Sequence, residues 1–170
     1  MSEFTYRNAT PADAPLMARI GPQAFSETFG HLYAPEDLAA FLLNHSETSW
    51  LEELTDARHV VRIAELGGEA VGYAKVGPLS LPVAVEGPAL ELDQLYILKP
   101  WHGTGVAQAL MGWAIDEGRA RGASQIVLSV FVDNHRAQRF YARYGFEQIG
   151  TYAFMVGNHA DEDLIMRAPL

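Results

Sequence analysis

Residues 96–107 read Tyr-Ile-Leu-Lys-Pro-Trp-His-Gly-Thr-Gly-Val-Ala and run straight into an amphipathic segment. A strand that ends in Gly103-Thr104-Gly105 and turns at once into a helix leaves a cluster of unpaired backbone N–H groups. Such a cluster suits a pyrophosphate. Gly103 and Gly105 let the backbone approach a ligand and adopt dihedrals that bulkier residues resist. Further on, Asn134-His-Arg-Ala-Gln-Arg-Phe-Tyr141-Ala-Arg-Tyr-Gly-Phe146 supplies a second helix start and a phenol. Tyr141 follows Asn134 by two helical turns, so both project from similar faces. A phenol, with pKa near ~10, can act as a proton donor. The plainer readings are a core aromatic for Tyr141 and a simple helix cap for Asn134.

Other chemistries fit less well. Gln108 stands where a dinucleotide fingerprint needs its third glycine, and neither a Gly-x-x-x-x-Gly-Lys-Ser/Thr loop nor a Gly-x-Ser-x-Gly elbow occurs. Histidines 31, 45, 59, 102, 135 and 159 lack metal-binding spacing, so no metal is expected. The chain has no cysteine, which excludes disulfides, thiolate metal sites and a cysteine acyl-enzyme. Any acyl transfer must be direct or use another nucleophile.

The 170 residues suit a single domain, 1–170, able to bury roughly 70% of its unfolded surface. Apolar residues make up 49% and charged residues 19%, which argues against disorder. No apolar run approaches ~18 residues, and the N-terminus lacks the pattern of a signal peptide. A cytoplasmic location without a membrane partner is therefore expected. A net charge of −9 argues against nucleic acid as a partner. No Lys or Arg falls between Arg19 and Arg58, whereas Glu27, Glu36, Asp37, Glu47, Glu52, Glu53 and Asp56 all do. That stretch reads either as a solvated helical face or as a surface whose field draws in a cationic substrate.

These residues need elements to hold them. Glu3–Asn8 alternates as a first strand, and Thr10 with Pro11 and Asp13 opens a helix that Gly21-Pro22 should kink or break before Phe25–Phe29. Pro35 opens a helix to about Leu43, and Ser49 with Glu52 predicts a capping box for a third, ending near Asp56. His59–Leu66 and Ala70–Val76 flank Gly67-Gly68-Glu69 as a hairpin, and 77–90 reads as an irregular loop. Glu91–Leu98 alternates as a strand. Gly105–Arg121 reads as a helix whose inward stripe is Val106, Ala109, Leu110, Trp113 and Ala114. Gln125–Phe131 is a central strand, Asn134 caps a helix to about Tyr144, and Phe146–Val156 and Asp163–Arg167 close the chain around Gly157-Asn158. The order predicts an α/β (α+β) domain: one mixed, mostly antiparallel sheet of about seven strands, flanked by helices, with a β–α–β unit over 91–131.

At these residues the chain resembles the GNAT superfamily of acyl-CoA N-acetyltransferases. That family's Gln/Arg-x-x-Gly-x-Gly/Ala signature aligns with His102-Gly103-Thr104-Gly105-Val106-Ala107, with His102 departing from the usual Gln or Arg. A histidine can still donate to phosphate. The signature Asn-x-x-Ala-x-x-Phe-Tyr-x-x-x-Gly-Phe is met by Asn134, Ala137, Phe140, Tyr141, Gly145 and Phe146. Looser similarity links Ala24–Phe29, the acidic second helix and the ending 157–166 to bacterial spermidine/spermine acetyltransferases.

The resemblance implies several things. Acetyl-CoA is the co-substrate. The central parallel pair of strands is splayed by a β-bulge at Tyr96 and Ile97, whose backbone, with Leu95, pairs the pantetheine arm. Tyr141 is the general acid. Beside the resemblance, the Asn134 amide is a candidate to hold the cofactor, and Arg136, Arg139 or Arg143 read either as solvated or as attracting the 3′-phosphate and adenosine end of CoA. A base to deprotonate the acceptor is sought at Glu91 or Asp93, which share one strand face. Ser129 stands where some relatives carry a carboxylate. Tyr33, Glu27 and Asp37 are further candidates for lining the acceptor pocket. The acceptor is expected to be a primary amine of a small cation, a polyamine foremost. Protein N-terminal, lysine or antibiotic amines are alternatives, as is a non-catalytic acyl-CoA-binding module. The oligomeric state stays open, a homodimer included.

Overall fold

The computed structural model describes residues 3–170. The strands are β1 (Phe4–Asn8), β2 (Val60–Leu66), β3 (Glu69–Pro78), β4 (Ala89–Ile97), β5 (Gln125–Phe131), β6 (Glu147–Val156) and β7 (His159–Pro169). They form one seven-stranded sheet in the order β1-β2-β3-β4-β5-β7-β6. Every neighbouring pair is antiparallel except β4 and β5, which run parallel. The helices are α1 (Ala14–Phe29), α2 (Pro35–Leu42), α3 (Glu47–Thr55), α4 (Val106–Ala120) and α5 (His135–Ala142). This is the expected mixed sheet flanked by helices.

Two clusters hold the layers together. On one face Met17 and Ile20 of α1 and Trp50 of α3 pack on Val61, Ile63 and Tyr73. On the other, Val106, Leu110, Met111 and Ala114 of α4 pack on Ala74, Leu92, Ile126 and Leu128. Truncating any of the larger of these costs about 2–5 kcal/mol. The buried face of α4 runs through Val106, Leu110, Ala114 and Gly118 with Met111 beside it, while Ala109 is exposed. At 100° per residue Ala109 lies well round the helix from that line, so the buried stripe lies to one side of the expected one.

Three local expectations are corrected. Gly21-Pro22 does not break α1, which runs unbroken to Phe29. Pro22 forfeits a backbone bond, but Gly21 earns its place by close packing: a Cβ there would lie 2.8 Å from His45 Nδ1 and 3.4 Å from the Trp50 ring. The cap of α3 is Ser46, whose hydroxyl accepts from the Ser49 N–H, and Ser49 lies inside the helix. The closing hairpin is longer than expected, with β7 starting at His159. That extension carries Asp161 into the sheet beside Asp163.

Candidate active site

The turn after β4 has the predicted form. Gly103 and Gly105 have φ of 75° and 92°, in the left-handed region that favours glycine. The first α-helical bond of α4 runs from the Ala109 N–H to the Gly105 carbonyl, so the preceding N–H groups have no intrahelical partner and carry the positive end of the helix dipole. The Thr104 hydroxyl donates to the Trp101 carbonyl and pins the turn. Val106 is buried beneath it.

His102 behaves differently from expectation. Its Nε2–H donates to the Ile97 carbonyl at 2.8 Å, and its Nδ1 accepts from Arg136 Nη1 at 3.1 Å. Both ring nitrogens are thus engaged within the protein, and the histidine fastens the Arg136 guanidinium beside the turn. A neutral imidazole satisfies both bonds with one proton.

The central strands separate as expected, with the irregularity displaced. β4 and β5 pair only at Ala89–Glu91 against Gln125–Val127. Against β3 the register passes from Lys75↔Gln94 to Val76↔Leu92, leaving Asp93 as the extra residue. The bulge therefore sits at Asp93, not at Tyr96 and Ile97. Leu98 donates its N–H to the Val71 carbonyl of β3, and the bonding side alternates along an antiparallel strand. Leu95 and Ile97 consequently turn their backbone groups toward the gap, and Tyr96 turns its own toward β3.

A cleft of about 350 Å³ opens along this gap. It brings together Asp93, Leu95, Tyr96, Ile97, His102, Gly103, Gly105, Ala107, Asn134, Arg136 and Tyr141. Glu91, Thr104 and Val106 do not line it. The Asn134 Oδ1 caps α5 by accepting from the Ala137 N–H, which leaves its amide N–H₂ free. Tyr141 stands edge-on to Phe146 at 5.7 Å. Burial pushes its phenol up to about 12, so it holds its proton firmly. A thiolate expelled into the same cavity is desolvated as well and becomes more basic in step.

Both signs of charge line the cleft. Arg136 stands beside the turn, held by His102, Arg143 lines the cavity too, and Asp93, Asp161 and Asp163 line it from β4 and β7. Asp161 accepts from the Tyr33 hydroxyl and from His159 Nε2. Asp163 is buried; desolvation first, and then Asp161, push its carboxyl up to about 7. Asp93 pairs at 2.7 Å with the buried Lys75, which also holds Glu53. Glu91 accepts from the Ser80 and Leu81 N–H groups at 2.9 and 3.0 Å and serves to anchor the loop before β4. These bonds converge on one carboxylate oxygen, and Glu91 stands behind the lining of the cleft.

The acidic 27–56 stretch does not line the main cleft as expected. Glu27 accepts from the Lys99 N–H, Asp37 from the Asn158 N–H, and Asp56 from Arg58. Only Glu53 reaches a recess, which adjoins the cleft through Asp93, Gln94, Tyr96 and Phe154. Of the further candidates, Tyr33 lines the cleft. Asp161 and Asp163 were missed as site residues. Their alternation in His159–Ile165 is the signal in the sequence; the expected strand begins at Asp163 and so leaves out Asp161.

Comparison with known proteins agrees with this geometry. The acetyltransferase (GNAT) family model matches residues 23–146. An uncharacterized N-acetyltransferase of Mycobacterium tuberculosis is 36% identical over 155 residues, covering 91% of this chain and 96% of its own. The L-amino acid N-acetyltransferase AaaT of Escherichia coli is 30% identical over 173 residues, with 95% of each chain covered. Among solved structures, the PaiA N-acetyltransferase from Thermoplasma acidophilum in complex with coenzyme A superposes with a TM-score of 0.79 at 16% identity, covering 99% of each chain. The chain belongs to the GNAT family and is an acyl-CoA-dependent N-acetyltransferase.

Proposed function

We propose that the protein transfers an acetyl group from acetyl-CoA directly to a primary amine of a small cationic acceptor, a polyamine foremost. The observation that carries this reading is the charge of the cleft: Arg136 held beside the glycine turn, and three carboxylates, Asp93, Asp161 and Asp163, lining the same cavity from β4 and β7. In this reading the N–H groups from Gly103 to Ala107 cradle the pyrophosphate, and Arg136, held by His102, binds a phosphate oxygen. The backbone of Leu95 and Ile97 pairs the pantetheine arm, and the Asn134 amide holds it from α5. Tyr141 protonates the leaving thiolate. Asp93 attracts the acceptor's charge; Lys75 already pairs it, so it is poorly placed to take a proton.

A second reading is an amino-acid acceptor, favoured by the name of the E. coli relative. Asp161 and Asp163 would repel the carboxylate of such an acceptor. A thiol-release assay over diamines, spermidine, amino acids and N-terminal peptides separates the readings. Polyamines should show the highest kcat/KM, falling as salt rises. Rates indifferent to acceptor charge and to salt refute the polyamine reading, and coenzyme A binding without turnover of any amine refutes the enzymatic one.

A further inference from the structure

The cleft holds an amine to be deprotonated, yet the two carboxylates of β4 are committed elsewhere, Glu91 to the 80–81 loop and Asp93 to Lys75. On β7 the neighbouring pair divides differently. Asp161 is taken up by Tyr33 and His159. Asp163 is 6% exposed, and the surface it keeps lies on the cleft. It sits opposite Phe131 of β5 and opposite Tyr152 of β6 in the ladder. We infer that Asp163 is the general base that takes the proton from the acceptor ammonium. This rests on the acceptor being an amine, as proposed above.

The surroundings favour that role. The groups facing Asp163 are Asp161 on its own strand, Tyr152 of β6 with the Ser129 hydroxyl of β5, Tyr96 of β4, and Tyr33 from beyond α1. These are phenols, a hydroxyl and a second carboxylate. None is a cation paired with Asp163 as Lys75 is with Asp93. The three phenols are themselves raised by burial first and by nearby carboxylates after it, so they stay neutral and do not compete for the proton. A carboxyl placed this way gains and loses a proton near neutral pH, the condition for efficient proton abstraction.

The steps balance. Asp163 takes one proton from the bound ammonium. The freed lone pair forms the C–N bond to the thioester carbonyl carbon, and collapse breaks the C–S bond. The departing thiolate takes the phenolic proton of Tyr141, and the second nitrogen proton returns to that phenolate. Asp163 releases its proton to solvent. Ammonium and thioester thus give amide, thiol and one solvent proton.

The test uses the whole protein with the best acceptor from the amine panel. Asp163→Asn should lower kcat about 100-fold, with the KM for acetyl-CoA unchanged. The wild-type rate should rise with pH and level off above about pH 7, whereas the variant's rate should climb about tenfold per pH unit toward the amine's own pKa. Asp163→Glu should restore the levelling. Loss confined to the KM for amine, or a variant that keeps the wild-type inflection, overturns the inference and makes Asp163 an attracting charge only. A readout independent of turnover is the ¹³C-carboxyl resonance assigned by its loss in Asp163→Asn. It should titrate near neutral pH, and a midpoint below about 5 overturns the inference even if no amine in the panel is turned over. Failure of the wild type with every amine, alongside a neutral midpoint, would instead refute the acceptor reading.

Discussion

Replacing Asp163 by asparagine should change how stability depends on pH. Burial first, and then Asp161, raise this carboxyl from an ordinary 3.8 to about 7. Between those values the folded chain holds a proton that the unfolded chain has released. Wild-type stability therefore falls as pH rises through that window and loses nothing more from this group above it. Each pH unit of a one-proton difference is worth about 1.4 kcal/mol. Between pH 5 and pH 8 the window spans about two units, or roughly 3 kcal/mol. Asparagine has the same outline and no proton to release, so its own burial cost is equal at both pH values and cancels. His45, pushed down to about 4 mainly by burial, is common to both proteins and cancels too. For a chain of this size ~1 kcal/mol shifts Tm by about 2–4 °C. The variant's Tm advantage over wild type should thus grow by about 6–12 °C from pH 5 to pH 8, or roughly half that if water in the cleft screens the charge. Differential scanning calorimetry at the two pH values decides it. A Tm difference that stays constant within about 2 °C would show that Asp163 is ordinarily solvated and would refute the reasoning.

Tyr141→Phe removes the proton donor and little packing, so kcat should fall about 100-fold while coenzyme A affinity is kept; steady-state kinetics with a binding titration checks both, and an undiminished kcat would assign thiolate protonation to water. Gly21→Ala places a methyl 2.8 Å from His45 Nδ1 and 3.3 Å from the Tyr73 hydroxyl. Although alanine is the better helix former by about 1 kcal/mol, overpacking should leave a net loss of about 1–2 kcal/mol in urea denaturation.

Most of the sheet was legible in the sequence because alternation and turn residues coincide along it. Gly67-Gly68 and Gly157-Asn158 close hairpins, and Gln125–Phe131 reads as a buried strand with the bounds observed. The glycine turn was legible for the same reason: Gly103 and Gly105 sit where strand periodicity gives way to helical periodicity. What escaped depends on partners distant in sequence. Gly21 looked like a helix breaker, since only the packing of His45 and Trp50 against α1 explains a glycine there. The bulge at Asp93 is a register event between two strands, invisible within either. His102 promised a phosphate contact, but Ile97 and Arg136 claim its ring. The acidic helical stretch reads as a solvated face or as a field source; in the fold Glu27, Asp37 and Asp56 fasten loops and Glu53 pairs with Lys75. The acid of the cleft comes instead from β4 and β7, brought in by sheet order.

The most direct test is calorimetric titration of coenzyme A into the wild type and Gly105→Val. A β-branched residue at φ 92° strains the turn by about 1–3 kcal/mol and obstructs backbone approach to the pyrophosphate. The account predicts one site per chain in the wild type, weakening with salt, and affinity reduced at least tenfold in the variant with an unchanged circular dichroism spectrum. Equal affinity in the two proteins, or no binding heat in the wild type, would contradict it.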